Sequence, residues 1–582
     1  MTVFRQHYKQ LILITFSSLV FVSGCSFYGK SSQKVSVQPT ASIETSAVAS
    51  ELVEGDDCTV LSQELLNPPT LLADGRDLST ALSAAKVNKC VNGKVVALQS
   101  YIDQRLGMDS RPVGPAYVLP VDPAKPNPQL NINFTNALVK PEDLKEHYNC
   151  GAHDQDAMSH GAAGHVMDDD VKLCTNLHTH GFHVSPKAPS DDVFLVIKPG
   201  DPAYPYAFDI PNYHPPGTHW LHAHLHGSTA PQVKNGMAGA LILKGAIDEW
   251  LEGDYGITGD KEKIMIYQQL EDDSGNALCG DADDGSPITT SINGQCLPKI
   301  TVQAGDVYHW RMIHAGVSAT INMRLENVAG ESVTLREYAR DGITMQRAVD
   351  QELITLQPGY RSDVLLKVPQ CPRNLYPCTL FLVDAESDAH RSLYGRAESR
   401  SVVAKMVITG FTQSEMRLPL ANSPQFKSPY PFISDEELKK VNGEYVVQRI
   451  WFANEPTIPG DPNAPTLKTV NGFVFPEGPT ETLTLGTATL WNIWVGAEQL
   501  SQVNHPFHIH VNPFQVTETD VYGHPFHYWK DTLLISGTYN KGEKNAVEVR
   551  SRYENFDGKF VLHCHNLNHE DAGMMKEVEI VR

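Results

Sequence analysis

Residues 293–310 read NGQCLPKITVQAGDVYHW and residues 471–491 read NGFVFPEGPTETLTLGTATLW. Each begins Asn-Gly, places a Pro four residues after that Gly and continues to Gly-x4-Trp. Between the turn residues, apolar and polar side chains alternate, the period of a half-buried strand. NINFTNALV at residues 131–139 alternates in the same way. A second repeat links other parts of the chain. Gly217-x4-His222-x-His224 is followed by Gly236-Met237, and Gly558-x4-His563-x-His565 by Gly573-Met574. Short strands of this kind, repeated and separated by turns, predict an all-β chain of three consecutive Greek-key β-sandwiches. The expected bounds are residues 85–248, 249–412 and 440–582, with 413–439 as a linker and 26–84 as a tether and N-terminal extension.

Length and composition agree with this division. At about 150 residues per domain, 582 residues allow about three to five domains, and the repeats select three. A hydrophobic content of 41% excludes collagen-like, coiled-coil and wholly disordered chains. Lys and Arg total 47 against 68 Asp and Glu, a net charge of −21, which argues against a nucleic-acid partner. The same acidity suits a protein that attracts cations. Nothing in the sequence bears on oligomeric state.

The N-terminus points to export. Residues 1–10 carry Arg5 and Lys9 and no acid, and the apolar run 11–24 is too short to span a bilayer. It ends in Val22-Ser23-Gly24-Cys25, which resembles the lipobox of bacterial lipoproteins. That resemblance implies residues 1–25 are a signal peptide, Cys25 is lipidated, and the protein is anchored to a membrane of the cell envelope. Export permits disulfides. Pairing cysteines with their sequence neighbours, so that each bridge closes a short loop, gives 58–90, 150–174, 279–296 and 371–378.

Four histidine clusters carry the chemistry: His178-Thr179-His180, His222-Ala223-His224, His505-Pro506-Phe507-His508-Ile509-His510, and His563-Cys564-His565 with His569 and Met574 following. In a strand, residues i and i+2 face one side, so each His-x-His presents two imidazoles together. Eight such nitrogens suit three copper ions, two with three ligands and one with two. Cys564 falls on the opposite face from His563 and His565. With His505, His569 and a thioether from Met574 it matches the trigonal His2Cys site of a blue copper centre. Electrons collected there would reach the cluster through Cys564 and its histidine neighbours, a path on the order of 10 Å. A lone His-x-His is usually a surface or core pair; four, one of them bracketing a Cys, are not explained that way. Zinc does not fit one Cys among so many imidazoles, and no haem or iron–sulfur spacing occurs.

These motifs resemble the four copper-binding motifs of the three-domain multicopper oxidases, the family of laccases, copper-efflux oxidases and ferroxidases. The resemblance covers most of residues 85–582 and implies cupredoxin-like domains. Position by position it implies a type 1 copper at His505, Cys564, His569 and Met574, and a type 2 copper at His178 and His508. It implies a type 3 pair at His180, His222, His224, His510, His563 and His565, making four copper ions in all. His569 would admit electrons, and the middle domain would space the other two. The implied activity is one-electron oxidation of a small reductant, phenolic or Cu(I)/Fe(II), coupled to four-electron reduction of O2. An axial Met574 favours easily oxidised donors. Relatives of another class, non-catalytic scaffolds, lose the Cys and several His; this chain keeps them all. A copper nitrite reductase would be shorter and use fewer imidazoles.

Two departures stand out. Val511 follows the third motif where the family usually has Gly, and residues 380–440 contain only Met406 and Met416 where copper-efflux oxidases carry a Met-rich insertion. Reducing O2 consumes protons, so acids are expected near the cluster. Glu570 matches the family's proton-relay carboxylate, and Asp191 or Asp192 the second acid. Finally, Met158, His160, His165 and Met167 lie in CGAHDQDAMSHGAAGHVMDDDVKLC, residues 150–174, and are ligand types suited to a further Cu(I) site.

Overall fold

A computed structural model describes residue 58 and residues 64–582, apart from 152–169, 281–287, 373–375, 413–414, 459–460, 462–463, 498, 500–501 and 520–522. Cys25 and the leader, and Met158, His160, His165 and Met167, lie outside the described residues.

Three two-sheet sandwiches follow one another along the chain. The first pairs a four-stranded sheet built on Leu78–Val91 and Gln129–Ala137 with a five-stranded sheet containing His178–His180, Gly217–His222 and Ala238–Lys244. The alternation in Leu130, Ile132 and Phe134 puts these side chains, with Leu78 and Leu82, into one core. The second joins seven- and six-stranded sheets over residues 262–411, around Trp310, Met312, Leu325 and Leu382. The third joins six- and five-stranded sheets over residues 447–581, around Phe452, Trp491, Phe507 and Leu562. Among the described residues no helix is long and apolar enough to cross a membrane.

The expected boundaries move at two places. The first sandwich reaches back beyond residue 85, because the strand beginning at Leu78 pairs in parallel with Gln129–Ala137 from Leu78↔Leu130 onward. Within the expected linker, residues 415–439 pack on both neighbouring sandwiches. Phe426 packs with Trp250 and Tyr338 against the middle sandwich, and Ile433 and Leu438 pack with Trp529 of the third. These apolar side chains tie the connection down. All four neighbour disulfides form: Cys58–Cys90, Cys150–Cys174, Cys279–Cys296 and Cys371–Cys378, leaving Cys564 as the buried free thiol among the described residues.

Candidate metal centre

Strand register brings the histidines together. In the first sandwich His178 lies directly opposite His222, and in the third His508 lies opposite His563 while Phe507 faces Cys564. The outer sandwiches meet along these strands. All eight cluster histidines are at most 3% exposed. His178 stacks on His510 and His180 on His508, each pair with ring centroids 3.9 Å apart. His180, His222 and His565 form one group whose donor nitrogens lie within 4.8 Å of one another. His224 Nε2 is 3.2 Å from His563 Nε2, with His510 beside both. His178 and His508 complete the cluster, their rings 6.2 Å apart.

Metal ions fit this arrangement better than hydrogen bonding does. The Nε2 atoms of His178, His222, His508 and His510 are buried without a hydrogen-bond partner. The partnered nitrogens are the outward ones: His178 Nδ1 is 2.9 Å from Asp191 Oδ2, His222 Nδ1 2.8 Å from Ala223 O, and His508 Nδ1 2.8 Å from Asp531 O. Donating one N–H outward fixes the tautomer and turns the other nitrogen's lone pair inward. Burial, followed by the neighbouring imidazoles, holds His178 and His510 well below the ordinary histidine value, and burial brings His222 to about 3. Neutral rings are the ligating form.

Cys564 lies on the far side of the same strand, in the core of the third sandwich. Its Sγ is 3.5 Å from His505 Nδ1 and 3.7 Å from His569 Nδ1. With metal–ligand lengths of roughly 2.0–2.3 Å, three donors in a trigonal plane stand about 3.7 Å apart, so this triangle accepts one ion. His505 Nε2 is 2.8 Å from Gln499 Oε1, which leaves Nδ1 free to face the sulfur. Met574 is fully buried in the same cluster, and the Cys564 N–H donates to its carbonyl at 3.1 Å. His569 is 8% exposed, whereas His505, Cys564 and Met574 are at 0%, so His569 is the edge nearest solvent. A cavity of about 880 Å³ lies against its neighbours Asn568 and Ala572 and is lined by Lys468.

The acids separate. Asp191 is buried against His178, takes the Thr179 N–H at 3.2 Å, and is pushed by burial to about 7. Asp192 is half-buried and accepts from the Phe194 N–H instead, touching none of the eight histidines, so of the two expected acids only Asp191 belongs to the cluster. The backbone turn at Ser190–Asp192 points successive side chains in different directions. Glu570 is fully buried, with Oε2 2.9 Å from His563 Nδ1 and Oε1 3.7 Å from His224 Nδ1.

Gln499, Asp531, Thr532 and Arg361 were not among the expected site residues. Asp531 and Thr532 sit about twenty residues beyond the third motif, and Arg361 lies in a sandwich without ligands. Val511 adopts φ +68°, a left-handed conformation that costs a β-branched residue on the order of 1–3 kcal/mol and is natural for Gly. Its carbonyl accepts from His183 Nδ1 at 2.9 Å.

Three family models, each described as multicopper oxidase, match residues 166–247, 263–390 and 451–581, together more than half of the chain. A multicopper oxidase of Staphylococcus haemolyticus is 25% identical over 431 residues, 70% of this chain and 79% of the relative. A laccase of Bacillus stratosphericus is 23% identical over 477 residues, covering 72% and 82%. The crystal structure of a multicopper oxidase from Aquifex aeolicus has a TM-score of 0.64 at 18% identity, covering 90% of this chain and all of that one. A Campylobacter jejuni multicopper oxidase described as a metallo-oxidase gives 0.62 at 20% identity, with 89% and 95% covered.

Proposed function

The chain belongs to the multicopper oxidase family, and from that premise we propose that it binds four copper ions, one at Cys564 and three among the eight histidines, and couples oxidation of a small organic reductant to reduction of O2 to water. One observation carries this reading: a single strand, Gly558–Cys564, contributes to both sites, with Cys564 on one face and His563, with His565 just beyond, on the other. Bound copper supplies one-electron redox chemistry at the first site and O2 reduction at the second.

The chain's own residues divide the remaining work. His569 presents the most exposed edge of the cysteine site to the donor. Cys564 is joined through the backbone to the two flanking histidines, which would give electrons a covalent path, thiolate to main chain to imidazole, between bound ions. Glu570, against His563 and His224, and Asp191, against His178, set carboxylates beside the cluster where they can pass protons to it. Burial of the eight histidines excludes bulk water.

Lys468 sharpens the donor. It lines the cavity beside Asn568, donates to Thr466 Oγ1 at 2.9 Å, and its charge bears on His505, Cys564 and His569. The cavity is also lined by Lys86, Lys172 and Lys234 and by Glu271, Asp272, Asp273 and Asp571, but Lys468 is the lining cation whose charge bears on the cysteine site. A cation there favours phenolate or other anionic reductants over Cu(I) and Fe(II), against the pull expected from the overall −21. Copper-loaded protein should be blue and take up O2 faster with a phenol than with Cu(I) or Fe(II). A colourless preparation without O2 uptake overturns the oxidase reading, and faster metal-ion oxidation overturns the donor preference.

Two sequence expectations join this proposal. Lipidation of Cys25 in an exported, envelope-anchored protein is supported by four disulfides, which need an oxidising compartment. Labelling with a palmitate analogue tests it, and an unlabelled chain removes it. A Cu(I) site at Met158, His160, His165 and Met167 draws support from the Cys150–Cys174 bridge, which brackets the segment. If deletion of 155–168 leaves Cu(I) oxidation unchanged, that site is not there.

A further inference from the structure

Arg361 lies in the middle sandwich, which contributes no ligand to either site, and it is completely buried. All five of its N–H groups are used. Nε donates to Thr218 O of the first sandwich at 3.2 Å. Nη1 donates to Gly359 O at 3.0 Å and Asp531 Oδ1 at 2.7 Å, and Nη2 to Asp341 O at 2.9 Å and Asp531 Oδ2 at 2.6 Å. One guanidinium therefore touches all three sandwiches and holds the Asp531 carboxylate in a two-pronged grip. Lys530 Nζ, 3.0 Å from Asp341 Oδ2, balances the second acid.

Asp531 in turn governs two stacked histidines in opposite senses. Its Oδ1 is 3.2 Å from His180 Nε2, while its main-chain carbonyl is 2.8 Å from His508 Nδ1. The Thr532 hydroxyl, donating to Asp531 Oδ1 at 2.9 Å, sits beside both rings. His180 consequently turns Nδ1 inward, where it lies 3.2 Å from His565 Nε2. His508 turns Nε2 inward, and that atom has no hydrogen-bond partner. The close fit extends to the glycines. At Gly359, φ +88°, a Cβ would stand 3.0 Å from His565 and 3.1 Å from His180; at Gly181, also φ +88°, a Cβ would overlap Arg361 Nη2.

We propose that Arg361 is a positioning residue for the copper cluster: by fixing the Asp531 carboxylate it decides which nitrogen His180 presents to metal, and by holding Asp531 in place it steadies the main-chain carbonyl that orients His508, so the middle domain sets occupancy of the histidine cluster rather than merely spacing its neighbours. The inference rests on the copper reading above. Without the two-pronged grip of the guanidinium, the Asp531 carboxylate would lose the geometry that sets Oδ1 3.2 Å from His180 Nε2, and with it the acceptor that selects the His180 tautomer. Arg361→Lys keeps the charge and loses the planar fork.

The test loads full-length parent, Arg361→Lys and Asp531→Asn with copper and follows three readouts: copper per chain after dialysis against a mild chelator, the blue absorption, and the type 2 electron paramagnetic resonance signal. Each variant should lose copper from the histidine cluster at a chelator concentration about 10–100-fold lower than the parent, with an altered or missing type 2 signal and an unchanged blue band. Full copper retention with an unaltered type 2 spectrum in both variants overturns the proposal. So does equal loss of the blue band and the type 2 signal, which would mark a general loss of structure. If Arg361→Lys does not fold, Asp531→Asn decides alone. A parent chain that never turns blue would count against the oxidase reading instead, so the two failures are separable.

Discussion

The two candidate metal sites are built in contrasting ways. The cysteine site takes His505, Cys564, His569 and Met574 from one sandwich, and its nearest supporting contact, Gln499, lies six residues from His505. The histidine cluster takes half of its ligands from residues 178–224 and half from 508–565, and it is braced by Arg361 from a third unit. The first site needs only one domain to fold correctly. The second needs three domains held in register to within the few tenths of an ångström that separate a good ligand from a poor one. A lesion in the third sandwich's core should therefore affect the cysteine site first, and a lesion at a domain boundary the cluster first.

The largest expected effect breaks the first site alone. Cys564→Ser should abolish the blue absorption and reduce donor oxidation to background, while copper analysis shows the histidine cluster still loaded. Loss of all copper would mean the sites are not independent. Next comes the proton supply. Glu570→Gln should slow O2 uptake by about 10²–10⁴-fold with the blue band intact, and unchanged turnover would remove the relay. Asp191→Asn, which loosens one ligand, should lower cluster copper affinity by about 10–100-fold, read by chelator titration, whereas Asp192→Asn should leave it unchanged. If Asp192→Asn behaves like Asp191→Asn, the assignment of the inner acid is wrong.

Two smaller effects sharpen the contrast. Gly359→Ala forces a left-handed φ on a residue with a Cβ and crowds His565 and His180, costing about 1–3 kcal/mol. Its expected signature is a lower melting temperature and weaker cluster loading, with normal absorption from the cysteine site. Lys468→Gln should raise KM for an anionic phenol by a few-fold and leave that for a neutral one unchanged, with the difference vanishing at high ionic strength. An equal change for both donors would mean Lys468 acts only through packing.

How much of this was legible in the sequence follows the same division. The sandwiches, and the ten histidines and Cys564 that the fold gathers into two groups, could be read because strand period and motif repeat are local properties. Register, which sets His178 opposite His222 and His508 opposite His563, then does the assembling. Asp191 and Asp192 could not be separated by spacing, since only the turn at 190–192 determines which carboxylate faces inward. Arg361 and Asp531 were not legible at all. They are separated by 170 positions, and Asp531 is 351 positions from His180, with no motif joining them. The start of the first sandwich was readable in principle, because Leu78, Leu82 and Ala84 already face the core, yet the expected boundary fell at 85.

Arg361 also has a consequence for how the molecule comes apart. Because its donors are divided among Thr218, Asp341, Gly359 and Asp531, unfolding of the middle or the third sandwich alone separates Arg361 from Asp531 and strands a buried charge in the other, a penalty on the order of 3–5 kcal/mol, while unfolding of the first removes the Thr218 acceptor. Chains of similar sandwiches joined by linkers often melt in steps. Here the thermal transition of the three sandwiches should be one cooperative event, and Arg361→Gln, which removes the charge, should split it, so that the guanidinium serves as the coupling by which three folding units behave as one.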